Sequence, residues 1–258
     1  MSDRLRQTLR LSGLGMWTLF CYALWLPGAA LTLPFARAHL GWNGLMLSRW
    51  SAGLLLCLGV RVVMTGSRPP KPFFLAANHL GYLDVLVLGA KLGGTFVSKH
   101  DVRDWPVLGH LARVTGTIFV NRDRRRDTLR VLKEIDRAVD RGAGVVIFPE
   151  GTSSRGDGVL PLKTGLLEWA ARRQFPVHAA TLRYETGDPA RPAADTVCWW
   201  GDMTFVPHFL EMLQVRRITA TLSFRPHPVT AGTRSLLASR LTEELTAGLA
   251  QRPLPEAL

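Results

Sequence analysis

The chain is poor in the residues that build disulfide scaffolds and metal clusters. Its 258 residues include three cysteines, Cys21, Cys57 and Cys198, far apart and with no Cys-x-x-Cys spacing. That excludes a disulfide framework and the usual zinc ligand sets, so no metal is expected. No Gly-x-Ser-x-Gly occurs, which removes the serine nucleophile elbow, and no Gly-Lys-Ser/Thr occurs, which removes the Walker phosphate loop. There is no zinc-finger spacing, long basic heptad segment, internal repeat or low-complexity tract, so nucleic acid is not an expected partner. Acidic residues are scarce, at 20 Asp and Glu against 32 Lys and Arg, a net charge of +12. Such a surplus favours anionic partners.

The length suits one α/β unit or two small domains. A hydrophobic content of 47% with a mean hydropathy of +0.10 is too apolar for a disordered chain. Much of the charge surplus sits beside the most apolar part. Up to residue 71 there are eight basic residues (Arg4, Arg6, Arg10, Arg37, Arg49, Arg61, Arg68 and Lys71) and one acid, Asp3. Residues 11–36 carry no charge, a run of about 39 Å as a helix against roughly 30 Å of hydrocarbon. Pro27-Gly28 is read as interrupting it, and the second apolar stretch holds Arg49, leaving only residues 50–60 uncharged. The expectation is a helical hairpin over residues 1–66 that dips into one leaflet, with both basic ends on the headgroup side. The alternatives are one true span plus a surface helix, or a cleaved signal peptide.

After Gly66-Ser67-Arg68-Pro69-Pro70, short apolar runs alternate with amphipathic segments. Strands are expected at 72–77, 95–98, 117–121, 144–149, 177–184, 196–200 and 218–224. Helices are expected at 84–92, 105–114, 127–140, 162–172, 206–213 and 234–249, the third with Leu129, Leu132, Ile135 and Val139 on its apolar face. The fold class is therefore α/β, a central mixed sheet covered by helices and preceded by the apolar hairpin. Residues 67–258 form the second domain.

Three constellations carry chemistry. In Asn78-His79-Leu80-Gly81-Tyr82-Leu83-Asp84, at a strand end, a histidine can take a hydroxyl proton and a carboxylate one turn on can orient it. Chance alone gives about 0.3 such His-x4-Asp pairs in a chain of this composition, so the motif is weak by itself. Asp84 as a helix cap is the structural alternative. Gly116-Thr117-Ile118-Phe119-Val120-Asn121-Arg122 is a strand ending in a guanidinium suited to phosphate. Arg124 to Arg126 just beyond read as a solvated helix face. Phe148-Pro149-Glu150-Gly151-Thr152-Ser153-Ser154-Arg155 is a strand followed by a small hydroxyl-rich turn that could cradle an anion, with Arg155 and Lys163 nearby.

In this order and spacing the three motifs resemble the 1-acylglycerol-3-phosphate acyltransferase family of lysophospholipid acyltransferases, over roughly residues 71–184. The resemblance implies that His79 is the general base and Asp84 its partner. It further implies that Gly116, Phe119 and Arg122, with Glu150, Gly151 and Thr152, help bind the acceptor's polar head, and that the N-terminal apolar segment docks on membranes. Two departures matter. Ser153 stands where the family's third motif has arginine, and Arg155 comes two residues later, so a bare phosphate monoester would be held less well. The fourth family block is only partly kept in residues 175–180. The stretch Trp199-Trp200-Gly201-Asp202-Met203 resembles a segment of bacterial members, including those assigned to lyso-ornithine lipid acylation.

The expected reaction is acyl transfer from acyl-CoA or acyl carrier protein to the free hydroxyl of a lysophospholipid. The first choice of acceptor is 1-acyl-sn-glycerol-3-phosphate giving phosphatidic acid, and the second is lyso-ornithine lipid or another lysolipid. No cofactor beyond the thioester co-substrate is expected. The expected partners are the lysolipid, the thioester donor and a membrane surface with anionic lipids, at the cytoplasmic face of the inner membrane. The rival classes are a serine thioesterase or lipase and a nonenzymatic basic membrane-binding protein.

Overall fold

A computed structural model describes residues 2–105, 108–121 and 125–251. Two long helices come first, α1 (Asp3–Thr32) and α2 (Ala36–Leu58). The chain continues through β1 (Val60–Thr65), β2 (Phe74–Ala77), α3 (Leu83–Leu92), β3 (Thr95–Lys99), a 3-10 turn (His100–Asp104) and α4 (Leu108–Val114). Then come β4 (Ile118–Val120), α5 (Arg125–Asp140), β5 (Val145–Ile147), α6 (Leu167–Arg173), β6 (Val177–Glu185) and α7 (Ala193–Thr196). The described chain ends with α8 (Phe205–Met212), β7 (Ile218–Phe224) and α9 (Arg234–Ala250).

The seven strands form one mixed sheet in the order β1-β7-β6-β2-β5-β3-β4. All neighbours are parallel except β6 and β7. Because β2 is central and covered on both faces, all four of its residues are buried. Its side chains alternate between two cores. Leu75 and Ala77 face a cluster with Leu83, Val87 and Leu88 of α3 and Leu55 of α2, whereas Phe74 and Ala76 face α5, α6 and α9 through Ile135, Leu167 and Leu241.

Several expectations shift against this frame. Residues 60–65, on the hairpin side of the expected boundary, form an edge strand paired with β7. The expected strand at 196–200 is absent. Pro192 starts the short helix α7, and Trp199 then donates its backbone N–H to the Leu80 carbonyl (2.7 Å) rather than to a ladder. On α5 the fully buried side chains are Val131 and Ile135, with Val139 nearly so, while Leu129 is 58% exposed, so the apolar face is rotated from the one expected.

The hairpin is real, but its turn is elsewhere. α1 runs through Pro27 without a break, and the reversal comes at residues 33–35. Each helix presents glycines that the other fills with tryptophan: a Cβ at Gly53 would collide with the Trp17 ring and one at Gly28 with the Trp42 ring. The indole N–H groups then find partners inside the hairpin: Trp17 to the Trp50 carbonyl (3.0 Å), Trp50 to Thr18 Oγ1 (3.0 Å), Trp25 to Asn43 Oδ1 (2.8 Å) and Trp42 to the Trp25 carbonyl (3.1 Å). Apolar bulk and polar satisfaction therefore come from the same side chains. α2 in turn packs against α3 so closely that backbone meets backbone: a Cβ on Gly44 would lie 2.5 Å from the Gly93 carbonyl oxygen, and one on Gly89 2.8 Å from Ser51 Oγ.

Two arginines expected to face headgroups are buried instead. Arg10 donates to the carbonyls of Leu213 (2.9 Å), Val215 (2.5 Å) and Arg216 (3.0 Å), and Arg6 to that of Gln214 (2.7 Å) and to Asp3 (2.7 Å). These carbonyls follow the C-terminus of α8, the electronegative end of a helix. Asp3 also binds Arg191 (2.6 Å), which donates to the Gln214 carbonyl (2.9 Å). The outer face of α1 stays apolar and exposed, with Leu19, Phe20, Leu31 and Leu33 all open. It is the only described helix long and apolar enough to cross a membrane.

Replacing Arg10 with Ala strands three carbonyls and should cost about 2–4 kcal/mol of stability. Arg10→Lys should recover only part, because one ammonium cannot span the three acceptors as a planar fork does. Thermal unfolding in nonionic detergent measures both; a loss below about 0.5 kcal/mol for Arg10→Ala would show that the arginine does not anchor α1.

Candidate active site

Five parallel strands, β6, β2, β5, β3 and β4, bring several loops to one sheet edge, the carboxyl edge where α/β sheets place ligands. The centre of that edge is the loop from β2 to α3. Asn78 continues the pairing where β2 stops: its side-chain amide accepts from Leu182 N (2.7 Å) and donates to the Leu182 carbonyl (3.0 Å). His79 follows. Glu150 Oε1 accepts from its backbone N–H (2.9 Å), and its carbonyl accepts from both the N–H (2.9 Å) and the hydroxyl (3.2 Å) of Ser154. The next carbonyl, that of Leu80, receives the Trp199 N–H. The loop is thus held from β6, from the loop after β5 and from the 197–200 segment.

The side chains complete the arrangement. Asp84 is fully buried, yet its carboxylate has four donors. Oδ2 accepts from His79 Nδ1 (2.7 Å), Leu80 N (2.6 Å) and Gly81 N (3.0 Å), and Oδ1 accepts from the Tyr184 hydroxyl (2.7 Å). Its place in the first turn of α3 adds the helix dipole. These donors offset the cost of burying a carboxylate. With a carboxylate on Nδ1, the imidazole proton sits there and the Nε2 lone pair faces outward. No described group bonds Nε2, and the side chain is 22% exposed. The ring lies flat on Phe148, 4.1 Å between centroids and 16° between planes, which fixes its tilt.

Neighbouring groups are tuned away from competing roles. Burial, then the Asp84 charge, pushes the Tyr184 hydroxyl well above the ordinary tyrosine value, so it remains a donor to Asp84 at neutral pH. Burial pushes the Cys198 thiol up to about 12, with the Asp84, Asp157 and Asp195 charges adding to it. No thiolate is therefore available there as a nucleophile.

The other expected residues divide. Glu150, expected at the acceptor's polar head, is 2% exposed, and both oxygens are committed to backbone, Oε2 accepting from Leu160 N (3.1 Å). It positions His79. Gly151 makes the turn with φ of 76°, and Thr152 is exposed beside it. Arg155 reaches Asp195 (3.6 Å) and Asp157 (4.0 Å) and lies over the Trp200 ring (5.7 Å). Gly116, with φ of 82°, ends α4 before β4 begins and so lies at the opposite sheet edge from His79. Phe119 sits inside β4, three strand positions from β2, or about 14 Å. Its carbonyl accepts from Arg130 (2.5 Å). Arg122 lies outside the described residues. Sequence reading quoted Phe148 and Ser154 in the third motif without their contacts to His79 and missed Tyr184 and Lys99. The last ends β3 at the same edge and is paired with Asp101 (2.5 Å).

A family model described as Acyltransferase matches residues 60–183. A lyso-ornithine lipid O-acyltransferase of Brucella abortus is 33% identical over 240 residues, covering 86% of this chain and 90% of its own length. The chain belongs to this acyltransferase family. A 1-acyl-sn-glycerol-3-phosphate acyltransferase of Neisseria meningitidis is 36% identical over 152 residues, 56% of the chain. The chain spans only 60–64% of the length of relatives at that level of identity. The crystal structure of the 1-acyl-sn-glycerophosphate acyltransferase of Thermotoga maritima superimposes with a TM-score of 0.67, covering 98% of this chain and all of that one at 17% identity, which shows a shared fold. Within the family, the α/β architecture and the long apolar N-terminal helix match expectation.

Two substitutions probe the support of the His–Asp pair. Tyr184→Phe leaves Asp84 Oδ1 without its donor and should cost about 1–3 kcal/mol in urea denaturation. A neutral result would mean that water replaces the hydroxyl. Burial also raises the Glu150 carboxyl above 4.5, against the pull of its two N–H donors. For a raised acid, the stabilising contribution is present below the unfolded value and is lost as pH climbs through the folded one. The stability gap between wild type and Glu150→Gln should therefore narrow as pH rises from about 4 through that range. Widening would mean that the donors outweigh burial.

Proposed function

We propose that the protein transfers a fatty acyl group from a thioester, carried by coenzyme A or acyl carrier protein, to the free hydroxyl of a lysolipid. The observation that carries this reading is the His79–Asp84 pair, with Nδ1 fixed at 2.7 Å and Nε2 open at the carboxyl edge of the sheet. Nε2 takes the hydroxyl proton as the acceptor oxygen attacks the thioester carbonyl. The new C–O bond gives a tetrahedral oxyanion, which collapses with cleavage of C–S. The imidazolium, stabilised by Asp84, returns its proton to the departing thiolate. Acyl ester and free thiol are formed, the histidine is restored, and no acyl-enzyme is needed. The protonated Cys198 agrees with direct transfer.

For the acceptor, the family motifs point first to 1-acyl-sn-glycerol-3-phosphate, giving phosphatidic acid. Lyso-ornithine lipid is the second reading, favoured by a specific observation: Arg155 already faces two carboxylates, and Lys99 faces a third. A phosphate must compete with those acids, whereas an ammonium-bearing headgroup gains from them. The greater length shared with the Brucella relative supports the same choice. The exposed apolar face of α1 suits a membrane surface, and use of cytosolic thioesters sets the protein on the cytoplasmic side.

Detergent-purified protein should acylate one of these lysolipids, read by mass spectrometry with acyl-CoA and acyl carrier protein donors. His79→Ala should lose about 10²–10⁴-fold in rate. Near-normal turnover in that variant would overturn the base assignment. Free fatty acid released without an acceptor would instead indicate a thioesterase.

A further inference from the structure

At the sheet edge opposite His79 lies a second cavity, of about 120 Å³. Its walls come from the first turns of α2, from Lys71 before β2, from the Gly93–Thr95 turn and from residues 141–143 before β5. Three cations line it, Arg37, Lys71 and Arg141, and no acid does. None of the three pairs with a carboxylate among the described residues. Lys71 donates to the Gly93 carbonyl (3.3 Å), which holds its ammonium at the rim.

The floor supplies donors of its own. Asn43 lines the cavity and is only 7% exposed. Its Oδ1 is taken by Trp25 Nε1 (2.8 Å), which orients the amide and leaves the NH₂ with no described acceptor. Gly94, buried, also lines the cavity, and its N–H bonds no described group. Among the described residues the buried side-chain atom without a partner is Ser51 Oγ, so the Asn43 NH₂ is open to the cavity, where an incoming acceptor can reach it. Three cations and two unmet donors around a cavity of this size specify an anion with several acceptor oxygens.

We infer that this cavity binds a phosphate group, distinct from any phosphate handled at the His79 edge. The four residues of β2 alone separate the two edges by about 13 Å. Arg37 lies two residues beyond Phe35, in the exposed apolar turn of the hairpin with Leu31 and Leu33, so a phospholipid headgroup is one source of that phosphate. A free phosphate ion is the other. The inference does not depend on the proposed reaction, because binding is read without turnover.

The test is calorimetric titration of the full chain, in nonionic detergent, with dihexanoyl phosphatidylglycerol, phosphate-free dihexanoylglycerol and inorganic phosphate. Saturable binding of the phosphatidylglycerol, weakened about tenfold or more by Lys71→Gln and by Arg141→Gln but unchanged by His79→Ala, is the expected result and identifies a lipid source. Inorganic phosphate binding with the same dependence on the variants, and phosphatidylglycerol binding no better, would assign the site to the free ion. Arg37→Gln, on an exposed first turn, repeats the measurement if another variant unfolds. The inference is overturned if the variants bind within twofold of wild type, if the exposed control Arg172→Gln weakens binding equally, or if the phosphate-free dihexanoylglycerol binds as tightly as phosphatidylglycerol.

Discussion

A single buried carboxylate organises the candidate active site. Asp84 is fully buried, so its carboxylate oxygens rely on four protein donors contributed by the β2–α3 loop, by His79 itself and by β6. Each donor must arrive at the right place, which constrains the backbone of residues 79–81, the start of α3 and the register of β6 against β2. The Glu150 and Ser154 contacts to the His79 backbone follow from the same need. A loop that must present two N–H groups inward to Asp84 has its own outward N–H and carbonyl left over, and the turn after β5 satisfies them. The third motif thus acts on the first through the backbone. Its glutamate spends both oxygens on backbone N–H groups.

A comparable economy governs the N-terminal hairpin. An apolar helix pair packed on a folded domain meets two physical problems, polar groups inside it and attachment to its base. Tryptophan over glycine answers the first, since one indole supplies both the bulk and the donor. Arginine on the carbonyls after α8 answers the second, with Arg10 alone satisfying three acceptors. The two arginines at positions 6 and 10 are therefore committed inside the fold and are not available to headgroups.

Sequence periodicity revealed six of the seven strands, β1 excepted, and all the longer helices, because burial on both faces of β2 and β5 forces continuous apolar runs. It failed where a tertiary contact outweighs a local signal. Pro27 did not stop α1, whose surroundings hold the helix on both sides of it, and the aromatic run Val197–Trp200 did not extend into a strand, because Trp199 is claimed by the active-site loop. Within the site, His79 and Asp84 were legible as a spacing with a mechanism. Tyr184 was not, since nothing in a strand-like Val-His-Ala-Ala-Thr-Leu-Arg-Tyr shows that its last hydroxyl meets a carboxylate 100 residues earlier. Glu150 was found, but its two backbone contacts were not, because sequence places a carboxylate at a strand end without showing whether it faces backbone or solvent.

α3 joins these parts. It carries Asp84 in its first turn and is capped by Gly93, which lines the basic cavity, so one ten-residue helix of about 15 Å runs from one edge of the sheet to the other. α2 packs along that same helix through the Gly44–Gly93 and Ser51–Gly89 contacts, where the absence of side chains lets the backbones approach. A substitution that pushed α2 away at Gly44 would move the wall of the cavity and the first turns of α2 together, because both are made of the same backbone. The apolar outer face of α1, the cationic cavity and the His–Asp pair are thus referred to one rigid element. Whatever surface the hairpin rests on, its height and tilt relative to His79 are set by the α2–α3 contact and not by a flexible tether.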